Sequence, residues 1–360
     1  MPDYTASRLA AVRDLLDDVG ADAFLVTHPD NRRYLSGFTG SAGALLITAT
    51  RALLATDFRY YEQVGIEAPL FELVRVPAQL TDVLPHVLGD AGVRKLAFEA
   101  DQVCVADMQS WMRATEGVEW MPTQGRLIDL RGVKDEGEVA LLRSAIALGD
   151  AALAAALAEA RPGMSERELA WAIESYIRTH GGDAVAFDLI VACGPNGARP
   201  HARATDAPLV AGEPIVIDMG AMVGGYRSDL TRTVCLGQPA DAERFWQVYN
   251  TVLRAQMAAE AALQPELSGV AADAVARDVI ADAGFGDYFG HGLGHGVGLA
   301  IHEQPRLGRL SRDTLAPGHV VTVEPGIYLP GWGGVRIEDV VLITANGAEV
   351  ITRAPKEPLI

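Results

Sequence analysis

Five residues in the second half of the chain have the types and settings that do chemistry: Asp218, Asp229, His295, Glu324 and Glu338. Each lies in a Gly-rich or strand-like segment where burial is expected. Four carboxylates and one imidazole cannot converge in an apolar setting as bare charges, because like charges repel and desolvation raises each carboxylate pKa. Cations among them remove both costs, so the pattern reads as a two-metal hydrolytic site. Oxygen-dominated ligands with one imidazole suit hard to borderline divalent ions, manganese first, with cobalt or zinc able to substitute. Two such ions about 3.5–4 Å apart share a water and bring its pKa toward neutrality, which makes hydroxide the nucleophile.

The elements that must position these residues are legible as hairpins. Asp218 ends the apolar run from Pro214 to Met219, and Asp229 opens the β-branched run Asp229-Leu230-Thr231-Arg232-Thr233-Val234-Cys235, with Gly220, Gly224 and Gly225 as punctuation between them. A second hairpin is expected to carry Glu324 and Glu338, turning near Pro330-Gly331-Trp332-Gly333. Strand alternation then puts Arg336 and Glu338 on one face and Ile337 on the other. His295 comes from a loop, Phe289 to Glu303, with glycine at 290, 292, 294, 296 and 298 and with His291 and His302 beside it. That glycine density excludes an ordinary helix or strand and marks backbone passing close to a ligand or another segment. Any one of the 47 acidic residues taken alone is ordinarily a solvated surface group, and a single histidine is more often structural. It is the joint occurrence that points to a site. No Gly-x-x-x-x-Gly-Lys-Ser/Thr phosphate loop is present.

These segments resemble the pita-bread metallopeptidases, a family that includes methionine aminopeptidase, aminopeptidase P, prolidase (Xaa-Pro dipeptidase) and the metal-free creatinase. The matching pieces are Gly194-Pro195-Asn196 with Pro200-His201, Ile217-Asp218-Met219-Gly220, Ser228-Asp229-Leu230-Thr231-Arg232-Thr233, Gly290-His291-Gly292-Leu293-Gly294-His295, His302-Glu303, Glu324-Pro325-Gly326-Ile327-Tyr328 and Arg336-Ile337-Glu338-Asp339. The resemblance implies an α+β fold: a pita-bread catalytic domain preceded by a small α/β, creatinase-type N-terminal domain. It implies two divalent metal ions on Asp218, Asp229, His295, Glu324 and Glu338, and substrate contacts from His201, His291, His302 and Arg336. The His-x-x-x-His loop, the Glu324–Tyr328 motif and the N-terminal domain favour the proline-specific branch, and within it prolidase, acting on Xaa-Pro dipeptides. Aminopeptidase P, which removes the first residue from longer Xaa-Pro peptides, is the alternative. A creatinase-like hydrolase and a non-catalytic peptide-binding module are disfavoured because every ligand position is intact.

Roles follow from the ligand chemistry. Glu324 is the candidate to relay a proton toward the leaving nitrogen, and ligand and base roles overlap there. His291 and His302 are expected to stabilise the oxyanion or orient the scissile carbonyl, and His201 to contact the substrate backbone or the leaving proline. A dipeptide's carboxylate needs a cation; Arg336 is the first choice, with Arg32, Arg33 and Arg59 as others.

Composition sets the frame. The chain has 360 residues with 49% hydrophobic content, enough for two cores. The expected divisions are an N-terminal domain at 1–130, a connecting helix at 131–160 and a catalytic domain at 161–360. Apolar spacing predicts helices at 7–19, 58–65, 78–88 and 104–115 and strands at 23–27, 43–49, 71–76 and 95–99 in the first domain. In the second it predicts a long helix from Lys134 to about Ala160, one over 166–179 started by a Ser165/Glu168 capping box, and two more near 240–262 and 268–283. An antiparallel sheet covered by helices on one face is expected there. No run is read as reaching membrane-spanning length, and the start carries neither a basic leader nor an apolar core, so a cytoplasmic protein is expected. Cys104, Cys193 and Cys235 lack paired spacing. A net charge of −17 disfavours nucleic acid and anionic lipid as partners; a small peptide with proline second, and a homodimer, are expected.

Overall fold

Short apolar runs punctuated by glycine build a six-stranded mixed sheet in the first part of the chain. The structure, a computed structural model, describes residues 4–360 and forms two units that divide between Arg131 and Gly132. In the first unit the strands lie in the order Glu72–Arg75, Ala52–Thr56, Ala44–Thr48, Ala23–Val26, Lys95–Glu99, Glu119–Thr123. Ala23–Val26 is central and buried at every position, pairing antiparallel with Ala44–Thr48 and parallel with Lys95–Glu99. The strand Ala52–Thr56 is not foreseen by the sequence, and the reason is its turn. Thr48 makes it with its own hydroxyl, which accepts from the backbone N–H groups of Thr50 and Arg51 at 3.3 and 2.9 Å, so no Gly or Asn signal marks the hairpin. The helix Pro29–Ser36 is likewise unforeseen; Pro29 presets its first turn.

The second unit opens with the helix Glu136–Glu159, started by a reciprocal capping box between Asp135 and Glu138. Contrary to the sequence expectation, this helix is long and apolar enough to cross a membrane by length and composition. Its buried stripe, Leu142, Ala145, Ile146, Gly149, Leu153 and Ala156, packs within the unit. The Ser165/Glu168 box forms as expected and starts Glu166–Thr179. Helices Ala242–Ala262 and Gly269–Asp282 follow. The expected single sheet is instead divided into four antiparallel sheets, two of three strands, one of five and one of two. The first helix pair packs on the strands before residue 236, the second on those after 290.

A buried charge cluster lies behind the strand that follows Glu338. Asp339 accepts from Arg232 at 2.7 Å, from Lys356 at 2.6 Å and from Gln256 at 2.8 Å. Arg232 also donates to the carbonyls of Glu338, at 2.5 Å, and Ala354, at 2.6 Å, tying the C-terminal segment to the strand. Burial, together with a proton shared with Asp339, pushes the neighbouring Glu260 up to about 8. Its folded pKa lies above the unfolded value, so the fold loses stability as pH rises from the unfolded pKa through about 8, at about 1.4 kcal/mol per unit. Glu260→Gln keeps the protonated shape without the titration. Thermal melts of the variant between about pH 5 and 8 are expected to lack a decline of a few kcal/mol that wild type shows; parallel curves would contradict the assignment.

Candidate metal centre

Asp218 is the penultimate residue of strand Pro214–Met219, and register sets it opposite Thr231 of Leu230–Cys235. Asp229 immediately precedes that second strand, so the hairpin returns it beside Asp218. Glu324 separates strands Val320–Val323 and Gly326–Leu329, where the chain leaves one sheet for another. Glu338 occupies the second such switch, between Gly333–Arg336 and Asp339–Thr344. The strand ends after Arg336, yet the alternation persists across the break: Arg336 and Glu338 line the cleft while Ile337 is buried in the core.

His295 sits in a three-residue strand, Gly294–Gly296, where the sequence had excluded one. The glycines permit it. A Cβ on Gly294 would collide with the carbonyl of Thr322, and one on Gly296 with that of Gln304, because the strand is pressed between its two neighbours. Arg277, paired with Asp273, donates to the carbonyls of Phe289 and His291 at 2.8 and 2.7 Å and so pins the start of this segment. Its far end is fixed by a fully buried Lys134–Glu303 pair at 2.8 Å, next to His302, and by Arg227, which bonds the Leu299 carbonyl at 3.0 Å.

All nine sequence candidates line one cleft of 1060 Å³. Ligand atoms of Asp218, Asp229 and Glu338 lie within 4.8 Å of one another. His295 Nδ1 hydrogen-bonds the Gly296 carbonyl at 3.1 Å, which makes it the protonated nitrogen and turns the Nε2 lone pair toward Glu324 Oε1 at 3.3 Å and Asp229 Oδ2 at 3.7 Å. Lone pairs facing carboxylates need a proton or a cation between them. Two buried carboxylate oxygens, Asp218 Oδ1 and Glu338 Oε1, have no hydrogen-bond partner among the described residues. Burial and then the charges of Glu338, Asp218 and Glu324 push Asp229 well above the carboxylate range. Burial and then Glu324 and Asp218 do the same to Glu338. Asp218 rises by burial despite Arg336. Glu324 alone is lowered against burial, through its contact with His295 first and with Arg336 further on, a contact that holds a proton where a cation would otherwise sit. A divalent cation satisfies the orphaned oxygens, the facing lone pairs and the repulsion together, so the residues fit metal.

Around this cluster runs a hydrogen-bonded relay. Arg336, 3% exposed, donates to Asp218 Oδ2 at 2.6 Å, to Thr231 Oγ1 at 3.0 Å, to the Pro200 carbonyl at 3.3 Å and to the Tyr328 hydroxyl at 2.7 Å. Tyr328 in turn meets His291 Nε2 at 2.9 Å, and burial pushes the phenol up to about 12, so it stays a donor. Thr231 donates to Glu338 Oε2 at 2.7 Å. Burial holds His291 below the ordinary histidine range, and burial first, with Arg306 also nearby, does the same for His302, whose ring stands edge-on to His295 at 4.4 Å. His201 lines the exposed side of the cleft.

Of the other arginines the sequence offered, Arg32 donates to the carbonyls of Gly40 and Gly43, and Arg59 pairs with Asp57. The sequence reading did not single out Arg306. It is the register partner of His295, it lines the cleft, and its charge bears on His302. Among the described residues no carboxylate lies within ion-pair distance of it. The signal available was alternation in Glu303–Leu307, where Glu303, Pro305 and Leu307 are buried and Arg306 is not.

Residues 140–345 match the model of metallopeptidase family M24, and residues 8–133 match that of the creatinase/prolidase N-terminal domain. The chain belongs to metallopeptidase family M24. It is 35% identical to the Xaa-Pro dipeptidase of Pyrococcus furiosus over 98% of this chain and 99% of that one. Among solved structures it is similar to the Xaa-Pro dipeptidase from Bacillus anthracis, with a TM-score of 0.96 at 40% identity over 99% of this chain and all of that one. It is also similar to the X-Pro aminopeptidase from Thermotoga maritima, with a TM-score of 0.90 at 36% identity over 96% and 99%. The fold is therefore the α+β arrangement of this family, a pita-bread domain after a creatinase-type domain, and the chain is a divalent-metal peptidase.

Proposed function

We propose that this M24 peptidase hydrolyses the Xaa-Pro bond, with dipeptides as preferred substrates. The observation that carries the reading is the pairing, in one cleft, of a carboxylate cluster with orphaned oxygens and a guanidinium without an acidic partner, Arg306. The first calls for cations; the second suits the free carboxylate of a C-terminal proline. Asp218, Asp229, His295, Glu324 and Glu338 would hold two divalent ions, manganese by donor type, which when bound polarise the scissile carbonyl and acidify the attacking water.

The protein's own groups complete the reaction. Glu324, an ionised carboxylate hydrogen-bonded by Thr322 at 3.2 Å, takes the proton of the attacking water and passes it to the prolyl nitrogen. That nitrogen is a tertiary amide without N–H, so recognition cannot use an amide proton and departure requires one. His302 and His201, both reaching solvent within the cleft, orient the carbonyl and the peptide backbone. His291 is held as a neutral acceptor by Tyr328, and Arg336 acts by fixing Asp218, since its donors are engaged by the protein.

A second reading, release of the first residue from longer Xaa-Pro peptides, draws on the cleft volume, 1060 Å³, which exceeds what a dipeptide fills. Comparison of Leu-Pro with Leu-Pro-Gly decides between them. The dipeptide is expected to have the higher kcat/KM by about tenfold or more, the order one charge-assisted hydrogen bond supplies; preference for the tripeptide would replace the first reading by the second.

A further inference from the structure

The exposed side of the cleft carries positive charge that catalysis does not use. Arg203 follows His201 after one residue, and Arg312 follows Arg306 after the short loop through Leu310, which is 94% exposed. Both arginines are exposed and both line the cleft. Neither has a carboxylate within ion-pair distance among the described residues.

The arginines at this mouth, Arg203, Arg306 and Arg312, outnumber its acids. Outside the catalytic cluster the lining carboxylates are Asp188 and Asp313, the second of which accepts the backbone N–H of Arg306 at 2.6 Å. Once the catalytic carboxylates are balanced by two dications, Arg203, Arg306 and Arg312 make the approach to the cleft positive on a protein of net charge −17. The volume leaves room beyond a dipeptide for a group to reach them.

We infer that Arg203 and Arg312 form a second anion subsite, so that substrates placing a carboxylate beyond the position of the proline carboxylate are selected. The inference rests on the proposed reading of the cleft as an Xaa-Pro peptide site with the proline carboxylate on Arg306. The carboxylate that this subsite takes has two chemical sources: an acidic side chain on the residue before proline, or the C-terminus of a peptide one residue longer, in which the proline carboxyl is itself an amide.

The test uses matched pairs that differ only in that charge. Glu-Pro is compared with Gln-Pro, and Leu-Pro-Gly with its C-terminal amide, on the metal-loaded enzyme at low and at high salt. One pair at least is expected to show about tenfold higher kcat/KM for the charged member, shrinking with salt, and the pair that does so names the source. In the double variant Arg203→Gln, Arg312→Gln that ratio falls toward one. Calorimetric binding of N-glutarylproline and N-pentanoylproline, which keep the proline carboxylate and need no turnover, is expected to favour the glutaryl compound by a similar factor in wild type and to lose that preference in the variant. Equal constants within every pair, or ratios that survive in the double variant, overturn the subsite. Absence of any Xaa-Pro cleavage with the glutaryl preference intact would instead remove the proposed activity and leave the subsite standing.

Discussion

Asp229→Asn is expected to lower turnover of an Xaa-Pro dipeptide by several orders of magnitude with the fold retained. Asp229 is 6% exposed, and burial with three neighbouring carboxylates pushes its pKa well up. Asparagine keeps the shape but removes one of the charges that attract a cation, and with it much of the acidification of water from about 15.7 toward about 7 that such ions provide. The same change relieves like-charge repulsion when no cation is bound. Metal-free variant is therefore expected to melt at or above the temperature of metal-free wild type, while the gain on adding Mn²⁺, about 2.7 kcal/mol at a hundredfold excess over Kd for wild type, shrinks. Opposite signs in the two states separate a ligand from a structural carboxylate. Unchanged turnover with full metal content, or a variant destabilised equally with and without Mn²⁺, would show that Asp229 does something else.

Arg336→Lys should reduce kcat by about 10–100-fold, the usual effect of removing a residue that orients a metal ligand. Lysine preserves the charge near Asp218 but has no planar fork, so it cannot hold Asp218, Thr231, Tyr328 and Pro200 together. The loss is expected in kcat more than in KM, because the arginine acts on Asp218 and on the Tyr328–His291 pair and not on the substrate carboxylate. Arg306→Lys supplies the contrast, with KM for Leu-Pro raised and kcat less affected. A rise in KM at Arg336 with kcat preserved would return the substrate anchor to that residue.

The constellation itself was legible because its chemistry is improbable otherwise. Carboxylates in apolar, glycine-broken runs have few uses, and the hairpin spacing around Asp218 and Asp229 follows from strand alternation and turn residues. Glu338 was assigned to the correct face even though its strand breaks after Arg336, since alternation survives the change of sheet. What escaped depends on contacts between distant segments. Arg306 reads as a solvated strand residue until register sets it opposite His295. Whether Arg336 touches substrate cannot be read from a strand face, because its partners Tyr328, Thr231 and Pro200 lie elsewhere in the sequence. The strand Gly294–Gly296 was hidden by its own glycines, whose function is to let Thr322 and Gln304 approach. The hairpin Ala44–Thr56 was hidden by a turn that Thr48 makes with its side chain.

Elemental analysis alongside activity tests most directly whether Asp218, Asp229, His295, Glu324 and Glu338 hold the cations on which hydrolysis depends. Protein dialysed against a chelator until it holds fewer than about 0.1 divalent ions per chain should not cleave Leu-Pro, while circular dichroism shows the fold unchanged. Titration with Mn²⁺ should restore activity as occupancy rises toward about two ions per chain. Full activity in the stripped protein, with metal content verified on the same sample, would contradict it.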